Sequence, residues 1–315
     1  FQVGIGPEAE PAYLRPETCQ SIFVDFPRLY KTMRGKLPLG IAQVGKSFRN
    51  EIAPRQSLLR LREFYQAEIE VFCNPNKLNE MERFSEVQDT TIRILVDDKI
   101  QAITCKEAVD SKTVPNKLVA YYLGLLSEFY EKTGIDMSKS RFRKLGDKEK
   151  AFYADVAFDF EVETTIGWLE LVACNYRSDY DLTSHAKKSN EKFEVMDGEE
   201  KTLPHIFELS MGIDRSLYTI LEHSLKDDKE HERTVLSVKP YLAPIHVGVL
   251  SLVKKDGLAE ITDEIYLKIK TKFDAFLDHS GAIGRRYRRL DEIGAPFAIT
   301  VDHQTLEDNT VTIRK

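Results

Sequence analysis

Arg49, Arg55, Arg60 and Arg62 crowd into one stretch of this 315-residue chain, with Phe64, Glu68 and Glu70 close behind. From Val44 to Phe72 the sequence reads VGKSFRNEIAPRQSLLRLREFYQAEIEVF. The pattern predicts a β-hairpin with arms at 41–52 and 61–72 and arginines packed around its loop. Guanidinium groups are planar, permanently charged and able to grip phosphate with two parallel hydrogen bonds. A strand-borne arginine beside a basic loop can therefore hold a triphosphate, and Glu68, farther along the second arm, can hold a cationic group. Charged strand edges also serve to block aggregation, and for any single arginine that is the commoner role.

A second constellation is Glu208-Leu209-Ser210-Met211-Gly212-Ile213-Asp214-Arg215. Side chains alternate along a strand, so Glu208 and Ser210 share a face. Gly212 permits a sharp strand-to-helix turn, which would place Arg215 in the first helical turn, within reach of a phosphate. A solvent-facing arginine at an ordinary strand–helix junction fits the same residues. Glu170 lies inside the apolar run GWLELVAC, where an unpaired buried carboxylate is costly; it is either exposed on an edge or matched with a cation. Arg15-Pro16-Glu17-Thr18 precedes a helical pattern, and Thr18 and Glu17 suit a cap and a favourable first-turn charge. Near the end, Arg285, Arg286, Arg288 and Arg289 surround Tyr287. Such a run is usually a solvated helix face, and it can also bind phosphates and stack on a base.

The elements that must position these residues can be outlined. A helix is expected over 21–34, with Ile22, Phe23, Phe26, Leu29 and Tyr30 on one side. The hairpin follows and ends at the turn signal Asn74-Pro75-Asn76. The segment 77–145 carries a helical run from Asn116 to Thr133 and reads as an insertion or packing module. Strands are expected at 152–163 and 167–174, a loop at 187–201, a strand at 205–211 and a helix from Gly212 to about His223. The charged run LKDDKEHER leads out of the first domain, and Pro240-Tyr241-Leu242-Ala243-Pro244 punctuates the boundary. Beyond it, strands at 245–252, 296–301 and 310–313 alternate with helices at 258–276 and 283–293. That alternation predicts a small α/β domain with a largely parallel sheet.

Length favours two domains. Charged residues at 30% and hydrophobic ones at 42% fit a soluble globular protein. No apolar stretch is long enough for a membrane span, and the first residues lack a signal-peptide pattern. Cys19, Cys73, Cys105 and Cys174 are scattered, with no CxxC pair, which speaks against a structural zinc site and a disulfide framework and fits a reducing cytoplasm. A net charge of -6 argues against a generic nucleic-acid binder but allows a local basic patch.

The run FRNEIAPRQSLLRLREFYQAEIE resembles motif 2 of class II aminoacyl-tRNA synthetases, and specifically the glycyl-tRNA synthetases of archaeal and eukaryotic type. Residues 208–215 resemble motif 3, Arg15 to Thr18 the family's R-P-E-T segment, and SGAIGRRYRRLDEIGAPFAITVD its anticodon-binding domain. The resemblance implies an α+β class II catalytic domain over 1–238, a mostly antiparallel sheet with helices. Within it lie motif 2 at about 41–72, a middle insertion at about 77–145 and motif 3 at about 205–223. An α/β anticodon-binding domain follows over 239–315 and stops short of its usual final elements. Motif 1, which forms the family's dimer, is missing, and the chain lacks an initiator Met, so a fragment of a longer protein is expected.

By the same resemblance, Arg49 bridges the ATP α-phosphate and the amino-acid carboxylate, and Arg215 reaches the γ-phosphate. Asn50 and Glu51 line the nucleotide, Arg60 and Leu61 meet it at the loop end, and Phe64 stacks under adenine. Glu170 and Leu171 contact ATP, the carboxylate through Mg²⁺. Glu17, Glu68, Glu208, Leu209 and Ser210 take the glycine. The run from Arg177 to Leu182 with His185-Ala186 matches a family segment and is expected to be a supporting helix. Arg285, Arg286, Arg288 and Arg289 are expected to face tRNA. Cys19 and Ser21 stand where the family has small residues, and Leu209 where it usually has Pro. The implied reaction is ATP-dependent ligation of glycine to tRNA(Gly) through glycyl-adenylate, by a cytoplasmic homodimer with no membrane attachment. Two alternatives share the fold: a class II synthetase for another small amino acid such as serine or proline, and a non-catalytic synthetase-like nucleic-acid-binding subunit.

Overall fold

The computed structural model describes residues 1–54 and 57–315, and of Ser57 only the backbone. Arg55, expected in the phosphate-gripping loop, lies outside the described residues. The chain divides into two compact units, Phe1–Phe129 with Asp136–Thr219, and Tyr130–Ile135 with Ile220–Lys315.

The first unit opens with a ribbon of β1 (Gln2–Ile5) and β2 (Glu10–Tyr13), then α1 (Cys19–Thr32). The hairpin is β3 (Leu39–Phe48) and β4 (Glu63–Cys73). Next come β5 (Thr91–Val96), β6 (Lys99–Thr104), α2 (Cys105–Asp110), α3 (Lys117–Thr133) and β7 (Ser140–Lys144). The unit continues through β8 (Val156–Thr164), β9 (Gly167–Ser178), α4 (Tyr180–Ser189), β10 (Val195–Asp197) and β11 (Glu200–Thr202). Then β12 (His205–Gly212) leads directly into α5 (Ile213–Ser224), within which the first unit ends at Thr219.

Eight of these strands form one sheet in the order β3-β4-β12-β9-β8-β7-β5-β6, and β5–β7 is its one parallel pair. The middle segment therefore extends the main sheet by three strands instead of forming a separate module. One face of β3 and β4 carries α1, whose Cys19, Ile22, Phe23, Phe26 and Tyr30 are buried. Phe26 stacks on Phe72 with ring centroids 4.1 Å apart, anchoring the helix over the far end of β4. The hairpin arms end earlier than expected at the loop. Arg49, Asn50 and Glu51 lie past the last residue of β3, although Arg49 N–H still donates to Arg62 O at 3.0 Å.

The second unit contains the hairpin β13 (Leu225–Asp228) and β14 (Arg233–Leu236), so the charged run expected as a connector is itself folded. Its sheet holds β15 (Val247–Ser251), β16 (Ala275–Asp278), β17 (Phe297–Val301) and β18 (Thr312–Arg314), in the order β16-β15-β17-β18. The first three are parallel and β18 runs against them. Helices α6 (Leu258–Ile269), α7 (Ile283–Glu292) and α8 (His303–Asp308) intervene. The helix expected over 258–276 thus stops at Ile269. Ala275 to Asp278 pairs with β15 because the sheet offers those residues a ladder partner that helical periodicity cannot reveal. Gly248 in β15 lets α7 sit close: a Cβ there would lie 2.2 Å from Leu290 Cδ1.

Candidate active site

Period-two alternation puts Gln66, Glu68 and Glu70 on one face of β4. The antiparallel register sets Gly212 opposite Gln66, Ser210 opposite Glu68, and Glu208 opposite Glu70. From the other side of β12, β9 places Asn175 against Glu208 and Ala173 against Ser210. Over this polar face lies a cavity of about 500 Å³. Its lining includes Glu17, Arg49, Glu51, Arg60, Leu61, Phe64, Glu68, Glu170, Leu171, Glu208, Ser210 and Arg215. The structure therefore gathers onto one cavity residues separated by up to 198 positions in sequence, counting from Glu17 to Arg215. Two expected members are elsewhere. Asn50 is exposed and not part of the lining, and Leu209 points to the opposite face of β12, buried away from the cavity.

One end of the cavity is acidic. Glu68 is held by four donors: Thr18 N–H at 2.7 Å and Thr18 Oγ1 at 2.5 Å on one oxygen, Gln66 Nε2 at 2.8 Å and Ser210 Oγ at 3.1 Å on the other. Thr18 was expected to cap α1. It flanks the helix there but makes no side-chain cap, because both its donors are spent on Glu68. Gln66 is itself fixed, accepting from Ser47 Oγ at 2.8 Å and donating to Ser210 Oγ at 2.6 Å. Glu17 is half-buried and accepts from Gln20 Nε2 at 2.8 Å.

Glu208 is buried and receives Arg177 Nη1 at 2.7 Å and Asn175 Nδ2 at 2.7 Å. Burial pushes its carboxyl up to about 7, against the pull of Arg177 and the Asn175 hydrogen bond and with like charge added by Glu68 and Glu17. Arg177 also holds Asp181 through two hydrogen bonds of 2.7 and 2.8 Å, and its guanidinium lies 3.9 Å from the Tyr153 ring centroid. This end therefore has more carboxylates than cations, an arrangement suited to an ammonium group.

The other end is basic. Arg49 stacks its guanidinium 5.3 Å from the Phe64 ring centroid and donates from Nε to Pro16 O at 3.2 Å. Arg60 pairs with Glu51 at 2.8 Å, and Arg62 Nε donates to Glu51 O at 2.9 Å, so Glu51 ties the two sides of the loop. Arg215, from the first turn of α5, donates to Leu59 O at 3.3 Å and Glu170 O at 3.1 Å. Asp214 fixes that turn by accepting Tyr65 N–H at 2.7 Å. Glu170 faces the cavity instead of the core, with its carboxylate 3.7 Å from Arg215 and open to solvent. Hard oxygen donors in such a position suit Mg²⁺ arriving with phosphates.

Sequence reasoning missed Gln66, Tyr153, Asn175 and Arg177. The Arg177 segment was expected to be a supporting helix. A helix does follow, as α4, but Arg177 itself lies next to last in β9 and braces Glu208 from within the sheet. Alternation back from Glu68 would have found Gln66.

In the second unit the four arginines of α7 part company. Arg286 is buried and donates to Ser251 O and Leu252 O, so it is a packing residue and not available to tRNA. Arg289 is paired with Asp278. Tyr287 hydrogen-bonds Thr300 and lies under Arg314, 4.9 Å from the guanidinium, so it is not an open stacking face. Arg285 and Arg288 are exposed.

Residues 5–224 match the tRNA synthetase class II core domain (G, H, P, S and T), and residues 246–315 match the anticodon binding domain. The whole chain aligns with glycine–tRNA ligases of three archaea. Identity is 37% with that of Methanocaldococcus jannaschii, covering 70% of that protein. It is 37% with that of Archaeoglobus fulgidus, covering 68%, and 38% with that of Pyrococcus furiosus, covering 70%. These alignments run over 393 to 410 positions, so the relatives carry segments that this chain lacks. The fold is also that of Giardia lamblia prolyl-tRNA synthetase, solved with prolyl-adenylate. The TM-score is 0.63 at 17% identity, over 99% of this chain and 56% of that one. No described helix is long and apolar enough to cross a membrane.

Proposed function

The chain belongs to the class II aminoacyl-tRNA synthetases, in the glycine–tRNA ligase family, and from that premise we propose how its residues divide the work of charging tRNA(Gly). The activity is ATP-dependent ligation of glycine to tRNA(Gly). The single observation that carries the assignment of the site is Glu68. Four donors fix it, it faces the cavity with Glu17 and Glu208, and the arginines stand at the far end.

Glycine lies with its ammonium among Glu17, Glu68 and Glu208 and its carboxylate toward Arg49. ATP lies with adenine on Phe64, its phosphates along Arg49, Arg60 and Arg215, and Glu51 near the base. The carboxylate attacks the α-phosphate, pyrophosphate leaves, and the 3′-terminal ribose of the tRNA then accepts the glycyl group. No protein nucleophile is required. Rate comes from holding the two substrates in line and from arginines aimed at the charge that develops. Glu170 would hold Mg²⁺ together with the phosphates, and that ion would supply further charge neutralisation. Discrimination against one extra methyl is worth only ~1–3 kcal/mol in an apolar pocket. Crowding of the ammonium by three fixed acids adds steric exclusion at Cα.

We extend the proposal to a catalytic domain through residue 238, an anticodon-binding domain from 239, contact of Arg285 and Arg288 with tRNA, and a cytoplasmic homodimer. Amino-acid-dependent pyrophosphate exchange, run separately with glycine, alanine, serine and proline, tests the substrate. Exchange with glycine alone supports the reading, and exchange with serine or proline instead replaces it. A chain that binds no ATP by calorimetry is a non-catalytic relative.

A further inference from the structure

Behind the acidic end of the cavity sits a group that the reaction does not use. Glu70 is fully buried, and among the described residues neither of its carboxylate oxygens has a hydrogen-bond partner. A buried polar atom without a partner carries its full desolvation cost. Arg177 offsets that cost only as a charge at a distance, since its hydrogen bonds go to Glu208 and Asp181. Protonation would remove the charge of Glu70 but would still leave a hydroxyl and a carbonyl unmatched.

Two further donors converge on the same point. Glu68 shares a face of β4 with Glu70, and Cys19 opens α1, which packs on that face. The Cys19 sulfur and one oxygen from each carboxylate lie within 4.8 Å of one another, and all three side chains are buried. We propose that Cys19, Glu68 and Glu70 form a binding site for a thiophilic divalent cation of the zinc type, whose occupation withdraws Glu68 from the glycine ammonium.

The donor set selects the class of ion. A thiolate with two carboxylates suits Zn²⁺ or Cd²⁺, while Mg²⁺ and Ca²⁺ take oxygen ligands alone. Bond lengths of about 2.3 Å to sulfur and 2.0–2.2 Å to oxygen set tetrahedral ligands roughly 3.5 Å apart, a spacing inside the 4.8 Å within which these atoms lie. Three protein ligands leave the fourth tetrahedral position to a water. Glu68 lines the cavity, so an ion reaches the site by the substrate's own route. The ion then gives Glu70 the partner that the protein does not. The inhibitory half of the proposal rests on Glu68 holding the ammonium; the binding half does not.

The test is a Cd²⁺ titration of the purified chain, followed by the ultraviolet sulfur-to-cadmium charge-transfer band, with Zn²⁺ calorimetry alongside. The wild type is expected to take one ion per chain and develop the band. Cys19→Ala is expected to lose the band, and Glu70→Gln to bind more weakly by on the order of tenfold or more. No band in excess Cd²⁺, an unchanged band in Cys19→Ala from the other three cysteines, or undiminished affinity in Glu70→Gln overturns the site. Unfolding curves of both variants confirm that a lost band is not lost structure. Zn²⁺ should also abolish glycine-dependent exchange in the wild type and spare it in Cys19→Ala. Binding through Cys19 without inhibition overturns the competition with glycine. Absence of exchange in metal-free wild type would instead sink the functional reading and leave the Cd²⁺ result standing.

Discussion

Arg177 donates to Glu208 Oε1 at 2.7 Å, with both side chains almost wholly buried. One strand crosses the floor of the cavity with the acid and its neighbour supplies the counter-charge, so the pocket wall and the sheet share one ion pair. Removing a single partner of such a pair strands the other as a buried charge. Arg177→Leu is therefore expected to destabilise the first unit by about 3–5 kcal/mol, because Glu208 and Asp181 both lose their guanidinium. Urea denaturation checks this. A loss below about 1 kcal/mol would mean the pair behaves like a surface one.

Glycine binding should depend on pH through Glu208. Burial lifts its carboxyl to about 7, so it takes up a proton as pH falls through that value and then no longer attracts an ammonium. KM for glycine is expected to rise as pH drops below about 7, with kcat changing less. The contribution of Glu208 to folding has the opposite sign. Its folded-state value lies above the unfolded one, so that contribution is full at low pH and is lost as pH rises through about 7. Exchange kinetics across this range check the first statement, and Glu208→Gln should have a raised and nearly flat KM.

Ser210 orders the acidic end without carrying charge. Ser210→Ala removes one donor from Glu68 and one of the two acceptors of Gln66 Nε2. A hydrogen bond to a charged group contributes about 1.5–3 kcal/mol and a neutral one about 1, so a rise in KM for glycine on the order of tenfold is expected, with KM for ATP unchanged. Equal effects on both substrates would mean the two ends of the cavity are not separate.

Arg285→Ala with Arg288→Ala should weaken tRNA recognition and leave adenylate formation alone. KM for tRNA in aminoacylation is expected to rise on the order of tenfold, with pyrophosphate exchange unchanged. Arg286→Ala should instead destabilise the second unit, because it removes donors from Ser251 O and Leu252 O in the buried interior.

Much of the site was legible because strand alternation is a rigid rule. Glu68, Glu208 and Ser210 could be put on shared faces from spacing alone, and Gly212 before Arg215 marked the turn that aims the arginine. Leu209 was carried along by its motif, although the same alternation turns it away. Arg177 was illegible for another reason. β9 runs four residues beyond its apolar stretch, since Asn175 and Arg177 find buried acceptors on Glu208 and Asp181. A polar residue can continue a strand only when a partner elsewhere in the chain waits for it, and local sequence does not record that. Ala275 and Phe276 were misread as the end of a helix on the same grounds, their strand being fixed by pairing with β15. The cluster of arginines on α7 showed composition but not direction, so Arg286 looked like its exposed neighbours.

The central claim is that Glu68 converts an ATP site into one that chooses glycine. The most direct measurement is glycine-dependent pyrophosphate exchange by Glu68→Ala, with ATP affinity measured by calorimetry on the same preparation. Exchange should fall to background while ATP binds as tightly as in the wild type. Exchange surviving at near wild-type rate would contradict the account.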